Sequence, residues 1–535
     1  MYSYLQSMTR YIPSPVPLLV GVAAAALLLG GCDSLSEYNN NPNQPTEADP
    51  NNVLANAQRD LAFETFGGNE TMRGANLLAQ YTTQNFYTTE ESRYGSVGYG
   101  WSDFYTALND LRKVKELARQ NQPPNAANMR AIATITQVWA FQILTDAYGD
   151  IPFEDALQGA TNRSPVYTPQ QDIYPALVDS LDKALGLIQT GSGPPGDLIN
   201  GGDMQKWSRF ANGLKMRIGI RAADANQSFA ASTIQSAMGD ALQSNADNVY
   251  FQFGTSSTHR NTYYENRFVD GRDDFDVSER FVEALQQYGT DDPRIDAFVE
   301  QTSNNTSPCP DGSGNYDGFP YGMEQSAAQG RQSGRPSCNE SRPESFFPAG
   351  PSGSGDAYAP MMYYDEILIT KAEAAARGLI EGGDAQAKNY LEQAIRASID
   401  FYGSETDADI DGQSSMADAY VNAVLSDYDA NGYSQVIGEQ RWIGFYFNNI
   451  QGWNTWRRMD FGDWVGPPTG GPAGDLQGRY IPLRIDYPSS EFNLNETNVS
   501  EAASRQFGSV QDEGPGRRIW WDTGEPPSES EAYQP

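Results

Sequence analysis

The chain has 535 residues, and its 36 Lys and Arg face 69 Asp and Glu, a formal net charge of −33. A body this acidic repels nucleic-acid phosphates, which argues against a DNA or RNA partner. The single histidine, His259, would have to serve any Ser-His-Asp or Cys-His nucleophile and any His-bearing zinc site; it lies in a polar stretch with no G-x-S-x-G elbow.

The first element is the apolar run 17–31, preceded by one charged side chain, Arg10. At about 15 residues it is short of the ~20 needed to span a bilayer. A basic start, a short apolar middle and small residues before a cut site describe a secretory signal. The cut site reads Leu29-Gly30-Gly31-Cys32, a lipobox, so Cys32 is the expected lipid-bearing N-terminus of the mature chain. Residues 1–31 are then the signal. The Asn- and Pro-rich residues 32–50 form a tether too polar to pack. Residues 51–535 make a single domain held to a membrane by acyl chains.

Helical periodicity governs that domain, and helices are predicted at 52–66 and 101–119. In 128–150, Ile132, Ile135, Trp139, Ile143 and Ala147 recur on one face until Gly149 and Pro152 stop the pattern. Residues 168–188 start with Thr168 as N-cap, Pro169 in the first turn and Gln171 completing a capping box. Their stripe is Ile173, Leu177, Leu181, Leu185 and Ile188. Residues 203–224 carry Trp207, Phe210, Leu214 and Ile218. Further helices are predicted at 231–243, 278–288, 361–377, 384–401, 416–426 and 437–450. The pair 361–377 and 384–401, joined by the Gly-rich link 378–384, reads as a tetratricopeptide-like hairpin, with Ala372, Ala375, Ala376 and Ala394 permitting close approach. The expected fold is mostly α, with such hairpins packed against an irregular, long-loop ligand-binding face.

Irregular stretches are read at 244–277, 300–360 and 451–535, rich in Gly, Pro, Tyr and Trp. Stretches this long are functional or disordered, and their aromatic content argues against disorder. Cys309 and Cys338 lie in the middle one; in an exported chain such a pair is expected to bridge. The acidic loop 407–418 matches the EF-hand spacing: Asp407, Asp409 and Asp411 at positions 1, 3 and 5, Gly412 at 6, Gln413 at 7 and Asp418 at 12. It is a candidate structural calcium site; no cofactor is otherwise required. Scarce lysine with abundant Asp reads as a surface adapted to high salt, where charges are screened.

Several segments in order resemble the SusD/RagB family of nutrient-binding outer-membrane lipoproteins. They are the lipobox, "NNNPNQPTEADPNNVLANA", "DAYGDIPFEDAL", "DMQKWSRFANGLKMRIGIR", "DDPRI", "ITKAEAAARG", "WNTWRRMDF" and "YIPLRIDYPSSEFNLN". The resemblance implies a helical fold with tetratricopeptide-like hairpins and no enzyme activity. It implies an oligosaccharide or peptide ligand and a place as lid over a SusC-like TonB-dependent transporter in the outer membrane.

Sugars offer C–H faces to rings and hydroxyls to polar groups. Three irregular segments supply both: 86–101, 259–274 and 314–322. The candidate ligand residues are Tyr263, Tyr264, Arg267, Tyr316, Phe319 and Tyr321, then Tyr94, Tyr99 and Trp101. Asp146, Tyr148, Gly149, Asp150 and Pro152 read as structural, Trp207 as core, and the cluster Trp453, Trp456, Arg457 and Arg458 as a buried arginine–carboxylate assembly. An exported α-helical glycoside hydrolase with paired carboxylates and a protein-binding helical scaffold are the competing readings.

Overall fold

The computed structural model describes residues 48–524 apart from 68–73, 97, 273, 303–314, 335–339 and 462–463. Helices dominate it. Numbering those of eight residues or more, they are α1 (Pro50–Ala62), α2 (Ser102–Asn121), α3 (Ala126–Tyr148), α4 (Gln170–Leu185), α5 (Met204–Arg221), α6 (Gln227–Ala237), α7 (Glu279–Gln286), α8 (Gln325–Gly334), α9 (Tyr364–Ala376), α10 (Gly383–Glu405), α11 (Ser415–Asn431), α12 (Tyr433–Gly444), α13 (Asn449–Met459) and α14 (Glu496–Phe507). Among the described residues six short strands form antiparallel pairs: β1 (Thr82–Gln84) with β5 (Phe275–Val277), β2 (Ile151–Pro152) with β3 (Tyr167–Thr168), and β4 (Val249–Gln252) with β6 (Tyr358–Met362).

Neighbouring helices pack in sequence: α1 on α2, α2 on α3, α3 on α4, α5 on α6, α9 on α10 and α12 on α13. The predicted stripes point inward. Ile173, Leu177 and Leu181 are fully buried, as are Trp207, Phe210 and Leu214. The α9–α10 hairpin forms as expected, with Ala372, Ala375 and Ala394 buried between the helices. Its link turns through Gly378 and Gly382, both at positive φ, which glycine adopts without a Cβ penalty.

Several boundaries differ from the sequence reading. Residues 358–362 extend as β6 before α9 begins, because this stretch pairs with β4. α6 lies at 227–237, earlier than expected, since Asn226 caps it by accepting the Phe229 N–H. The helix expected at 437–450 is two helices: α12 stops at Gly444, Phe447 turns the chain at φ 62, and α13 starts at Asn449. The C-terminal stretch expected to be irregular therefore contains α13 and α14. The capping box at Thr168 does not form; Thr168 belongs to β3 and Pro169 stands at the N-cap with no side-chain cap.

The interior is unusually charged. Asp146, fully buried on α3, accepts from Tyr174, from Trp521 Nε1 at 3.1 Å, from Asn454 Nδ2 at 3.0 Å and from Gln142 Nε2 at 3.1 Å. Arg457 donates to the Asp146 carbonyl at 2.7 Å, and its guanidinium lies between the rings of Trp453 (3.5 Å) and Trp521 (4.6 Å). Arg458 and Arg441 both pair with Glu373, and Arg217 pairs with Glu366 at 2.6 Å. Asp146, Tyr148, Trp453, Arg457 and Arg458 are thus buried in the interior, where the sequence reading put them.

Candidate functional site

The three candidate segments meet around the β1–β5 ladder. Gln84 pairs with Phe275, and the Asn85 N–H donates to Asp274 O at 3.0 Å, carrying the pairing one residue further. The segment 315–322 lies on the other side of β5, where the Phe319 N–H donates to Val277 O at 2.8 Å and the Glu279 N–H to Phe319 O at 3.0 Å. The Gly322 N–H reaches back to Thr83 Oγ1 at 3.1 Å.

At the open end of this ladder the chain shows aromatic rings to solvent. Phe86 and Tyr87 directly follow β1 and are 37% and 49% exposed; Phe268 and Val269 precede β5 and are 46% and 50% exposed. Phe86 and Tyr87 meet edge to face at 4.6 Å. The Arg272 guanidinium sits 5.9 Å over the Tyr87 ring and ties the two segments together, while its Nε pairs with Asp274 at 2.9 Å. Phe268 leans on Tyr264 at 5.2 Å, and the Arg267 guanidinium lies 4.8 Å over the Phe268 ring. Tyr87 has φ 56, a left-handed conformation that costs a non-glycine residue roughly 1–2 kcal/mol. The neighbouring Thr88 N–H is held by Gln325 Oε1 at 3.1 Å.

The proposed ligand residues fall into three groups. Tyr264 and Arg267 are half-buried at the edge of the exposed rings; Arg267 is fixed by Pro343 O at 2.8 Å and Glu300 at 2.5 Å. Tyr263, Tyr316, Phe319, Tyr321 and Tyr94 are buried beneath them. Tyr263 stacks on Phe447 at 6.0 Å. Tyr316 donates to Asp296. Tyr321 donates to Leu77 O at 2.7 Å, and Gln80 Nε2 donates to Tyr94 at 2.9 Å. Burial raises the hydroxyl pKa of both Tyr94 and Tyr321. Tyr99 and Trp101 belong to a separate buried cluster with Tyr148, Tyr167 and Tyr487, where Trp101 meets Tyr148 edge-on at 4.8 Å. These seven rings have no face free for stacking as placed, so they act as the support of the surface. Phe86, Tyr87, Phe268 and Arg272 were not singled out from sequence, although they lie in two of the three segments chosen.

The acidic loop is organised differently from the EF-hand expectation. Asp418 pairs with Arg396 at 2.8 Å, Arg396 also donates to Gly412 O at 2.6 Å, and the Gly412 N–H donates to Asp400 at 2.8 Å. Asp411 accepts the Gln413 N–H at 2.8 Å. Asp407, Asp409, Asp411 and Asp418 do not converge: among the described residues no three His, Cys, Asp or Glu side chains stand close enough to hold a metal ion. Of the four carboxylates, Asp418 is the one that pairs with Arg396. Cys32, Cys309 and Cys338 lie outside the described residues. Among the described residues no helix is long and apolar enough to cross a membrane.

Residues 42–488 match a SusD-like family profile described as "Starch-binding associating with outer membrane". No curated protein matches the chain. Among solved structures, a chitin-binding protein is 24% identical, covers 89% of this chain and all of its own length, and superposes with a TM-score of 0.70. A SusD-like protein designated Bacteroidetes AC2a is 20% identical over 89% of this chain and 100% of its own, with a TM-score of 0.71. A SusD homologue from Bacteroides fragilis is 20% identical over 88% and 99%, with a TM-score of 0.72. At these identities the superpositions show a shared fold. The profile, spanning most of the sequence, shows more: this chain belongs to the SusD-like family of outer-membrane-associated proteins.

Proposed function

We propose that this chain binds a glycan at the cell surface and passes it to an outer-membrane transporter. The observation that carries the binding reading is the exposed ring group Phe86, Tyr87 and Phe268, bordered by Arg272 and Arg267 at the end of the β1–β5 ladder. The family description names starch and one structural relative is named for chitin. Both polymers are chains of pyranose rings whose C–H faces suit such a surface. Tyr264 and Arg267 supply a hydroxyl and a guanidinium beside the rings. An oligosaccharide suits this patch of separate rings and paired charges. The lipid on Cys32 is the expected tether, and a SusC-like TonB-dependent barrel is the partner the family resemblance implies.

Calorimetry with maltoheptaose and with chitohexaose tests the ligand. Tyr87→Ala and Phe268→Ala are each expected to weaken binding about tenfold, some 1.4 kcal/mol; unchanged affinity in both would place the ligand elsewhere. Steady release of reducing ends from either polymer would favour the hydrolase reading. Cys32→Ser is expected to move the protein from the membrane to the soluble fraction. Co-purification of a large barrel protein from native membranes tests the partner.

A further inference from the structure

The turn that presents Phe86 and Tyr87 is held from a different element. In an extended strand successive side chains point to opposite faces, so two neighbouring rings following β1 would part, one towards the interior and one towards solvent. Here the left-handed backbone at Tyr87, φ 56, breaks the alternation. Both rings face solvent, and they meet at 4.6 Å. A tyrosine keeps this conformation only where its surroundings hold it.

Gln325 supplies that hold. Its Oε1 accepts the Thr88 N–H at 3.1 Å. Thr88 is fully buried, so water cannot take the place of this acceptor. An N–H can only donate, which fixes the Gln325 amide with its oxygen towards the turn. Among the described residues no other hydrogen bond joins residues 86–90 to a different element. The Arg272 guanidinium over the Tyr87 ring, 5.9 Å away on a side chain 43% exposed, is the looser tie.

The base of this hold is itself fixed. Gln325 opens α8, and the residues leading into that helix are bound on both sides. Tyr321 donates to Leu77 O at 2.7 Å, the Gly322 N–H to Thr83 Oγ1 at 3.1 Å, and the Thr469 N–H to Tyr321 O at 2.8 Å. Further along α8, Arg331 pairs with Glu340 at 2.8 Å. Thr83 lies on β1, so the strand that leads into the rings also sets the position of the acceptor that holds them.

We propose that Gln325 is a positioning residue of the ring surface: its side-chain oxygen holds the left-handed turn at Tyr87 and so makes a single platform of Phe86 and Tyr87. It acts through the turn and touches no ligand. Its effect on affinity rests on the glycan reading above; its effect on the rings does not.

The test places 3-fluorotyrosine at position 87 of the purified full-length protein and follows its fluorine NMR signal. In the parent, Phe86→Leu should shift that signal, because the ring in contact is lost. Gln325→Met keeps the length of the side chain and loses the acceptor. In that variant the signal should move, and Phe86→Leu should no longer shift it. Gln325→Glu keeps an acceptor oxygen and should restore the parent's response. Calorimetry with maltoheptaose and chitohexaose gives the second readout. Gln325→Met should weaken whichever sugar the parent binds about tenfold through lost preorganisation, and Gln325→Glu by less than roughly threefold. If Gln325→Met does not fold, Gln325→Ser, whose side chain is too short to reach Thr88, is read in its place. The proposal is overturned if Phe86→Leu shifts the signal equally in the parent and in Gln325→Met, if Gln325→Glu behaves as Gln325→Met does, or if affinity is unchanged while the rings part. If the parent binds neither sugar, the glycan reading fails, and the fluorine comparison alone upholds or overturns the role of Gln325.

Discussion

Asp150 caps a helix that begins twenty residues after it: its Oδ1 accepts the Gln170 N–H at 2.8 Å, and its Oδ2 holds Arg505. The preceding Gly149 makes this approach possible. It stands at φ 85, and a Cβ there would lie 2.2 Å from Gln506 Oε1, the atom that accepts the Asp150 N–H at 3.0 Å. The Y-G-D motif is therefore a joint between α3, α4 and α14.

Asp150→Ala should expose the cost of that joint. Loss of a helix N-cap costs about 0.5–2 kcal/mol. The unpaired Arg505 side chain, 41% exposed, adds little because water can solvate it. The expected result is a lowered urea midpoint corresponding to ~1–2 kcal/mol. Asp150→Asn, which retains a capping oxygen, should lose less than Asp150→Ala; equal losses would mean that the cap contributes nothing.

The rings around β1–β5 divide sharply between support and surface. Phe319 is fully buried, and Phe319→Ala should destabilise by about 3–5 kcal/mol through lost burial and the cavity left behind. Tyr87 is half exposed, and Tyr87→Ala should change stability by no more than about 0.5 kcal/mol. Denaturation of the two variants separates the roles without any ligand. A large loss for Tyr87→Ala would show that its ring is part of the packing.

The local features of this fold were legible and the non-local ones were not. The stripe Ile173, Leu177 and Leu181 needs only its own 3.6-residue period to announce a buried face. The α9–α10 hairpin follows from two such stripes and a Gly-rich link. Helix α13 was missed although Ile450, Trp453, Trp456 and Met459 recur at three-residue steps and are buried, because Asn454, Arg457 and Arg458 stand between them and are buried by pairing with Asp146 and Glu373, far away in sequence. Ring exposure fails for the same reason. Tyr321 and Tyr87 are the same side chain in similarly polar contexts, and only the chain folded over each decides which one faces water. Thr168 and Gln171 had the form of a capping box, yet the carboxylate of Asp150, twenty residues earlier and just after the end of α3, took the helix start.

Two buried carboxylates give the stability opposite pH dependences. Burial pushes Glu439 up to about 7, only partly offset by the amide donors of Gln435 and Gln287. The folded state then holds a proton that the unfolded chain releases near 4.5. This contribution is full below that value and is lost as pH rises towards 7. Glu373 is the reverse case. Burial alone would raise it, but Arg458, Arg377 and Arg441 hold its carboxyl well below the usual range. Its contribution is present above about 4.5 and disappears as the solution is acidified below that. Glu439→Gln should match the parent near pH 5 and exceed it by about 2–3 kcal/mol at pH 8. Glu373→Gln should be several kcal/mol less stable at pH 7, since three arginines lose their counter-charge, and should narrow its deficit in acid. A constant difference across pH in either variant would rule out that group's titration as the source.

The last prediction concerns Cys309 and Cys338. The chain leading into their segment and the chain leaving it run side by side: Val299 bridges Pro343 in antiparallel register, the Glu300 N–H donates to Arg342 O at 2.8 Å, and the Glu344 N–H donates to Phe298 O at 2.9 Å. Pairing of the flanks brings the ends of the segment together, so a bridge inside it would not have to pull distant parts of the fold into contact. A loop of this length, closed covalently, loses unfolded-chain entropy worth about 3.5 kcal/mol. Cys309→Ser and Cys338→Ser should each lower the stability by about that amount, and the double variant should be no worse than either single one, because all three remove the same bond. Peptide mass mapping without reductant should recover the two cysteines in one linked fragment. Two freely alkylated thiols in the unreduced protein, or single losses that add in the double variant, would show that the pair is not bridged.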